Sequence, residues 1–140
     1  MKTTLILFAI TACFIFQQRT KVIFDIPSLK GKNVIQVKKI LGKPKDETIP
    51  TAQQINAGVT GDLTYSKGGY NLDIQFDAST NKVIDFFLDQ ENTVPDYKIF
   101  LAAANLANTK DFVIKPVKSN KNPSVFTGVI ITPNKKAPQI

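Results

Sequence analysis

Histidine and tryptophan are missing from this chain, cysteine occurs once, as Cys13, and arginine once, as Arg19. Without histidine there is no imidazole for general acid–base work and no Ser-His-Asp or Cys-His nucleophile system. Structural and catalytic zinc sites, which draw on His and Cys ligands, are excluded with it. Only carboxylate or lysine chemistry is left for a reaction centre. The scarcity of arginine is as informative, because the formal charge of +7 rests on 17 Lys and Arg19 against nine Asp and two Glu. Bidentate recognition of phosphate or guanine recruits the planar guanidinium, whereas lysine is a hydrated point charge. The lysines also lie scattered in short clusters, Lys30/Lys32, Lys38/Lys39, Lys43/Lys45 and Lys135/Lys136, with no aromatic residues interleaved as a stacking platform. No nucleic-acid partner is expected. The bland expectation is a solvated basic surface that favours anionic lipid or polymer.

No apolar run reaches the roughly 20 residues of a bilayer-spanning helix. The one that comes nearest is N-terminal: Lys2, then Leu5 to Phe16 broken only by Thr11, ending at Gln17-Gln18-Arg19. That is the pattern of a secretory signal. Inside it, Ile10-Thr11-Ala12-Cys13 resembles a bacterial lipobox, in which small residues precede a cysteine that is lipidated and becomes the mature N-terminus. Lipidation of Cys13 also accounts for an odd thiol in an exported protein. Against it, the signal is short and Phe14-Ile15-Phe16 prolongs the apolar run past the cleavage point. Cleavage elsewhere, giving a secreted chain, and an uncleaved anchor or a mis-called start are the alternatives. The expected organisation is a signal and lipobox segment over residues 1–16, a tether over 17–25, one domain over 26–133 and a disordered tail over 134–140.

What is present suffices for one core. Ten Phe and three Tyr supply large apolar groups, and a body of about 115 residues buries roughly two thirds of its unfolded surface. The organising stretch is residues 70–88. Tyr70, Leu72, Ile74 and Phe76 alternate with Asn71, Asp73, Gln75 and Asp77, and a second apolar run follows from Val83 to Leu88. This predicts a half-buried hairpin. For Leu72, Ile74 and Phe76 to share a face with Ile84, Phe86 and Leu88, the facing residue numbers must sum to an even value, so the loop should hold an odd number of residues. Val83 and Phe87 then point to the polar face beside Asp73, Gln75 and Asp85. Phe87 is either covered by the C-terminal extension or an aromatic offered to a partner.

Around the hairpin, Val22-Ile23-Phe24 reads as extended, and Pro27 should keep Ile26 out of the helical region. Asn33 and Gln36 form a capping box for a helix stopped by Gly42 and Pro44, with Val34, Val37, Ile40 and Leu41 as its apolar stripe. Thr51 to Ala57, closed by Gly58, predicts a second short helix. Leu63 and Tyr65 alternate with Asp62, Thr64 and Ser66 as a strand that turns at Lys67-Gly68-Gly69 into the hairpin, making a meander. Thr93-Val94-Pro95-Asp96 predicts a helix start with Thr93 as cap, continuing from Tyr97 to Ala107 and stopping at Asn108. Strands over Phe112 to Val117 and Val125 to Thr132 complete the chain, and Pro116 implies that the first of them lies at an edge or ends early. The fold class expected is α+β: a mainly antiparallel sheet, a meander plus two C-terminal strands, with two or three helices packed on one face.

Asp73, Asp77, Asp85 and Asp89 are the acids expected near one another. Paired carboxylates serve glycoside hydrolysis or hold a hard cation, but these occupy the outward positions of an alternating sheet, where acids are simply the wet face. No catalytic residue, metal ligand or cofactor is expected.

Ile26-Pro27-Ser28-Leu29-Lys30-Gly31-Lys32, the helix through Val37 and Leu41, the Leu41-Gly42-Lys43-Pro44 stop, the Tyr65-Ser66-Lys67-Gly68-Gly69-Tyr70 turn and Lys82-Val83-Ile84 together resemble the small SmpA/OmlA-type lipoproteins. They are also similar to β-lactamase-inhibitor-protein-like domains. Those families pair a G-x-s-x-x-x-V-x-x-x-L-G-x-P helix segment with a meander ending in g-K-V. The resemblance covers residues 26–89 and implies an extracytoplasmic, protein-binding α+β domain. The helix and strands from Thr93 to Thr132 go beyond that minimal domain. The resulting expectation is a non-enzymatic bacterial cell-envelope protein, membrane-anchored through lipid on Cys13 and facing the periplasm or cell surface, that binds an unidentified envelope protein. Phe87 and Tyr97 are its candidate contact residues. A secreted inhibitor-like or small-ligand-binding domain is the first alternative, and a hydrolase using Asp73 and Asp85 the second.

Overall fold

The computed structural model describes residues 21–135. The signal segment with Cys13, residues 17–20 of the tether and residues 136–140 of the tail lie outside the described residues.

Among the described residues, four short helices and a six-stranded, wholly antiparallel sheet make an α+β fold with strand order β1-β2-β3-β4-β6-β5. The helices are α1 (Ile26–Leu29), α2 (Val34–Leu41), α3 (Ala52–Asn56) and α4 (Lys98–Ala103). The strands are β1 (Asp46–Thr48), β2 (Gly61–Lys67), β3 (Tyr70–Asp77), β4 (Lys82–Val94), β5 (Phe112–Lys118) and β6 (Phe126–Pro133). The meander is β2-β3-β4, joined at its first turn by Gly68 and Gly69, both at positive φ as a tight hairpin turn requires. β5 is an edge strand, as Pro116 demands, and β6 returns between it and β4.

One face of the sheet is the core. Leu63, Leu72, Ile74, Phe86, Leu88, Val129 and Ile131 are fully buried there against Ile26 and Leu29 of α1, Val37 of α2, and Phe100 and Ala103 of α4. Alternation in the strands and the i, i+3 spacing in the helices put these residues on the inside. The α2 capping box forms as the sequence predicts, with Asn33 and Gln36 each accepting from the other's backbone N–H. Thr51 and Gln54 do the same for α3, which buries nothing.

Five local expectations need correction. Ile26 is helical: Pro27 falls in the first turn of α1, where its missing N–H costs nothing. Ile23 and Phe24 are no tether, since both N–H groups donate to the Ala103 carbonyl and Phe24 is buried. Thr93 caps no helix; β4 runs on to Val94, and Asp96 instead accepts the Lys98 N–H at the start of α4. That helix ends at Ala103, two residues before Asn105, which takes φ +58. In the central hairpin the loop Ala78 to Asn81 has an even count, with Asn81 at φ +57, and Phe76 faces Val83. A bulge at this end of the hairpin restores the expected register from Gln75↔Asp85 onward, so Ile74 faces Phe86 and Leu72 faces Leu88. Val83 therefore packs against the core while Ile84 is 37% exposed.

Candidate functional site

The other face of the sheet is where polar chemistry collects. Register alone builds three rows across it. Thr48, Asp62, Gln75 and Asp85 form one; Asp46, Thr64, Asp73, Phe87, Ile130 and Lys115 the next; Ser66, Asn71, Asp89, Gly128 and Val117 the third. Five aspartates and one lysine therefore share a face in a chain whose formal charge is +7. A shallow depression of about 620 Å³ lies across it, lined by residues of all six strands and of no helix. Phe87 and Ile130 give it an apolar centre, and Asp62, Asp73 and Asp85 border them.

The acids are not equivalent. Asp73 accepts from the Thr64 hydroxyl at 2.7 Å, and Asp89 from the Asn71 side-chain amide at 3.0 Å. Asp62 has its pKa raised, first by partial burial and then by the Asp73 carboxylate beside it. Among the described residues, the Oδ1 of Asp85 is buried without a hydrogen-bond partner. An unmatched acceptor of this kind is costly until a donor reaches it. Among the described residues no three acids converge closely enough to hold a metal ion.

Phe87 stands at the centre, opposite Asp73 on one side and Ile130 on the other. It is half-buried, and part of its cover comes from the C-terminal extension: the ring lies so close over Gly128 that a Cβ there would be 3.0 Å from it. Tyr97 is elsewhere. It sits on the core side at the start of α4, with its ring edge-on to Phe126 at 5.5 Å. The structure therefore does not bring the two candidate contact residues together. Cys13 lies outside the described residues.

Of the four acids grouped by sequence, Asp73, Asp85 and Asp89 share the face, whereas Asp77 is turned into the hairpin loop. Its Oδ1 accepts from the Ser79 N–H and hydroxyl and the Thr80 N–H, which hold its pKa down. Asp62 was missed as a member of the group, although its alternation with Leu63 and Tyr65 carried the signal. Asp46 could not be found, because three-residue β1 has too little alternation to be read.

No family model, curated protein or solved structure matches the chain.

Proposed function

We propose that this is a non-enzymatic protein-binding or assembly module of the bacterial cell envelope, exported and held at the membrane by lipid on Cys13, that takes its partner on the open sheet face. The observation that carries the reading is the depression itself: an apolar centre of Phe87 and Ile130 on a sheet face that no other described element covers, bordered by acids of which one, Asp85, has a buried oxygen with no donor among the described residues. An aromatic anchor beside charges awaiting neutralisation suits a protein surface that presents lysine or arginine next to an aliphatic side chain. The resemblance of residues 26–89 to SmpA/OmlA-type and inhibitor-like domains points the same way, and the separate likeness of Ile10-Thr11-Ala12-Cys13 to a lipobox supplies the anchor.

Native-gel migration of the full chain extracted from its host's membranes tests this. Wild type should run in a complex larger than the free chain, and Phe87→Ala should run as the free chain while melting nearly where wild type does. Identical migration of the two would refute the role of this face. An intact mass starting at Cys13 with diacylglycerol attached is expected from the same preparation; an unlipidated mature chain would favour the secreted inhibitor-like or ligand-binding alternative.

The hydrolase alternative, placed by the sequence on Asp73 and Asp85, draws on one observation: partial burial and the neighbouring Asp73 carboxylate raise the pKa of Asp62 in the same depression, and a perturbed carboxylate in a cleft is a mark of a functional site. Asp62→Asn with Asp73→Asn leaving the complex and the host's phenotype intact would remove it.

A further inference from the structure

The α2 side of the molecule carries the opposite charge. Its outward residues are Ile35, Gln36, Lys39 and Ile40, with Ile35 78% and Ile40 48% exposed. Just past the helix end at Gly42 lies a groove of about 310 Å³, walled by Phe24, Ile40, Leu41 and Tyr65 and rimmed by Lys43, Lys45 and Lys67. Among the described residues none of these three lysines, nor Lys39, pairs with a carboxylate; the neighbouring Glu47 is taken by Lys38. Asp46, the other acid nearby, belongs to the far face of the sheet and accepts the Glu47 N–H. The Tyr65 hydroxyl donates to the Gly42 carbonyl at 3.2 Å, which occupies a helix-end oxygen that would otherwise repel an anion.

We propose that this surface seats on an anionic phospholipid bilayer, with Lys39, Lys43, Lys45 and Lys67 at the headgroups and Ile35 and Ile40 in the interface. Exposed aliphatic side chains among unpaired lysines gain from such a surface twice, by Coulomb attraction and by apolar burial. A soluble acidic partner rewards the second less, and the lysines lack the forked geometry that selects one carboxylate or phosphate. Docked this way, the domain turns its acidic sheet face from the membrane, toward a partner. The inference rests on the membrane-surface part of the proposed function and not on the partner face.

The test is amine acetylation of the full chain on vesicles, read lysine by lysine by mass spectrometry. On vesicles containing phosphatidylglycerol, Lys39, Lys43 and Lys67 should be protected about tenfold or more relative to phosphatidylcholine vesicles, and Lys115 on the opposite face should label equally on both. The protection should vanish at about 0.5 M salt. Co-sedimentation of a Lys39→Glu, Lys43→Glu, Lys67→Glu variant should lose the extra binding that phosphatidylglycerol gives wild type, and Ile35→Asn should weaken it without a charge change. All four positions are exposed, and unchanged melting will show that the variants fold. Equal labelling of these lysines on the two vesicle types would overturn the proposal, as would retention on a soluble polyanion with no gain on anionic vesicles.

Discussion

Gly128→Ala tests the packing that positions the site. Gly128 faces Asp89 across the β4–β6 ladder, and a Cβ added there would lie 2.6 Å from the Leu88 carbonyl oxygen, 3.0 Å from the Phe87 ring and 3.1 Å from the Asp89 Cβ. The ring can swing aside; the carbonyl belongs to the ladder and cannot move without opening it. Overpacking of this kind costs about 1–3 kcal/mol. Alanine returns about 0.4–1 kcal/mol by restricting the unfolded chain, so the expected net loss is about 1–2 kcal/mol. For a domain of this size that is a fall in melting temperature of about 4–10 °C, read by calorimetry or circular dichroism. The double variant Gly128→Ala, Phe87→Ala relieves the ring contact and leaves the carbonyl contact, so it should recover only part of the loss. A Gly128→Ala protein as stable as wild type would refute the close approach of β6 to β4 and with it the support under Phe87.

The remaining predictions concern the cap, the acids and the aromatic centre. Asn33→Ala breaks the α2 capping box and should lower stability by about 1 kcal/mol in urea titration. Asp62 has a folded pKa above the ordinary 3.8, so its ionisation opposes folding and stability falls as pH rises from 3.8 through the raised value. Asp62→Asn should therefore be more stable than wild type at neutral pH, with the gain disappearing below pH 3.8; a gain that persists in acid would contradict the assignment. Phe87→Ala should cost about 1 kcal/mol or less, since the ring is half-buried on the polar face. A much larger loss would make Phe87 a core residue.

The parts of the fold legible in the sequence are those where one physical signal acts alone. The Asn33/Gln36 box, the Gly68-Gly69 turn and the alternation of β3 each name their element directly. The sequence misleads where two signals compete. Thr93-Val94-Pro95-Asp96 carries the marks of a capped helix start, but Val94 is worth more buried against the core as the end of β4. In the hairpin the pairs from Leu72↔Leu88 to Gln75↔Asp85 keep the even sums that parity predicts, and the pairs beyond do not, because a bulge lets an even loop join strands in an even-sum register. The site was legible in part for the same reason. Phe87 breaks the polar alternation and so identified itself, whereas Ile130 lies in the continuous apolar run Val129-Ile130-Ile131, where inward and outward residues look alike. Nothing in the sequence assigns Tyr97 to a face, and only the fold puts it on the core side.

A photo-crosslinking residue placed at position 87, compared with one at position 35 on the far side of the molecule, tests the central claim most directly. In the native host the account predicts a discrete protein adduct from position 87, lost when Asp73 and Asp85 are changed to Lys, and no protein adduct of that mass from position 35. A protein adduct from position 35 alone, or one at 87 indifferent to the charge reversals, would contradict it.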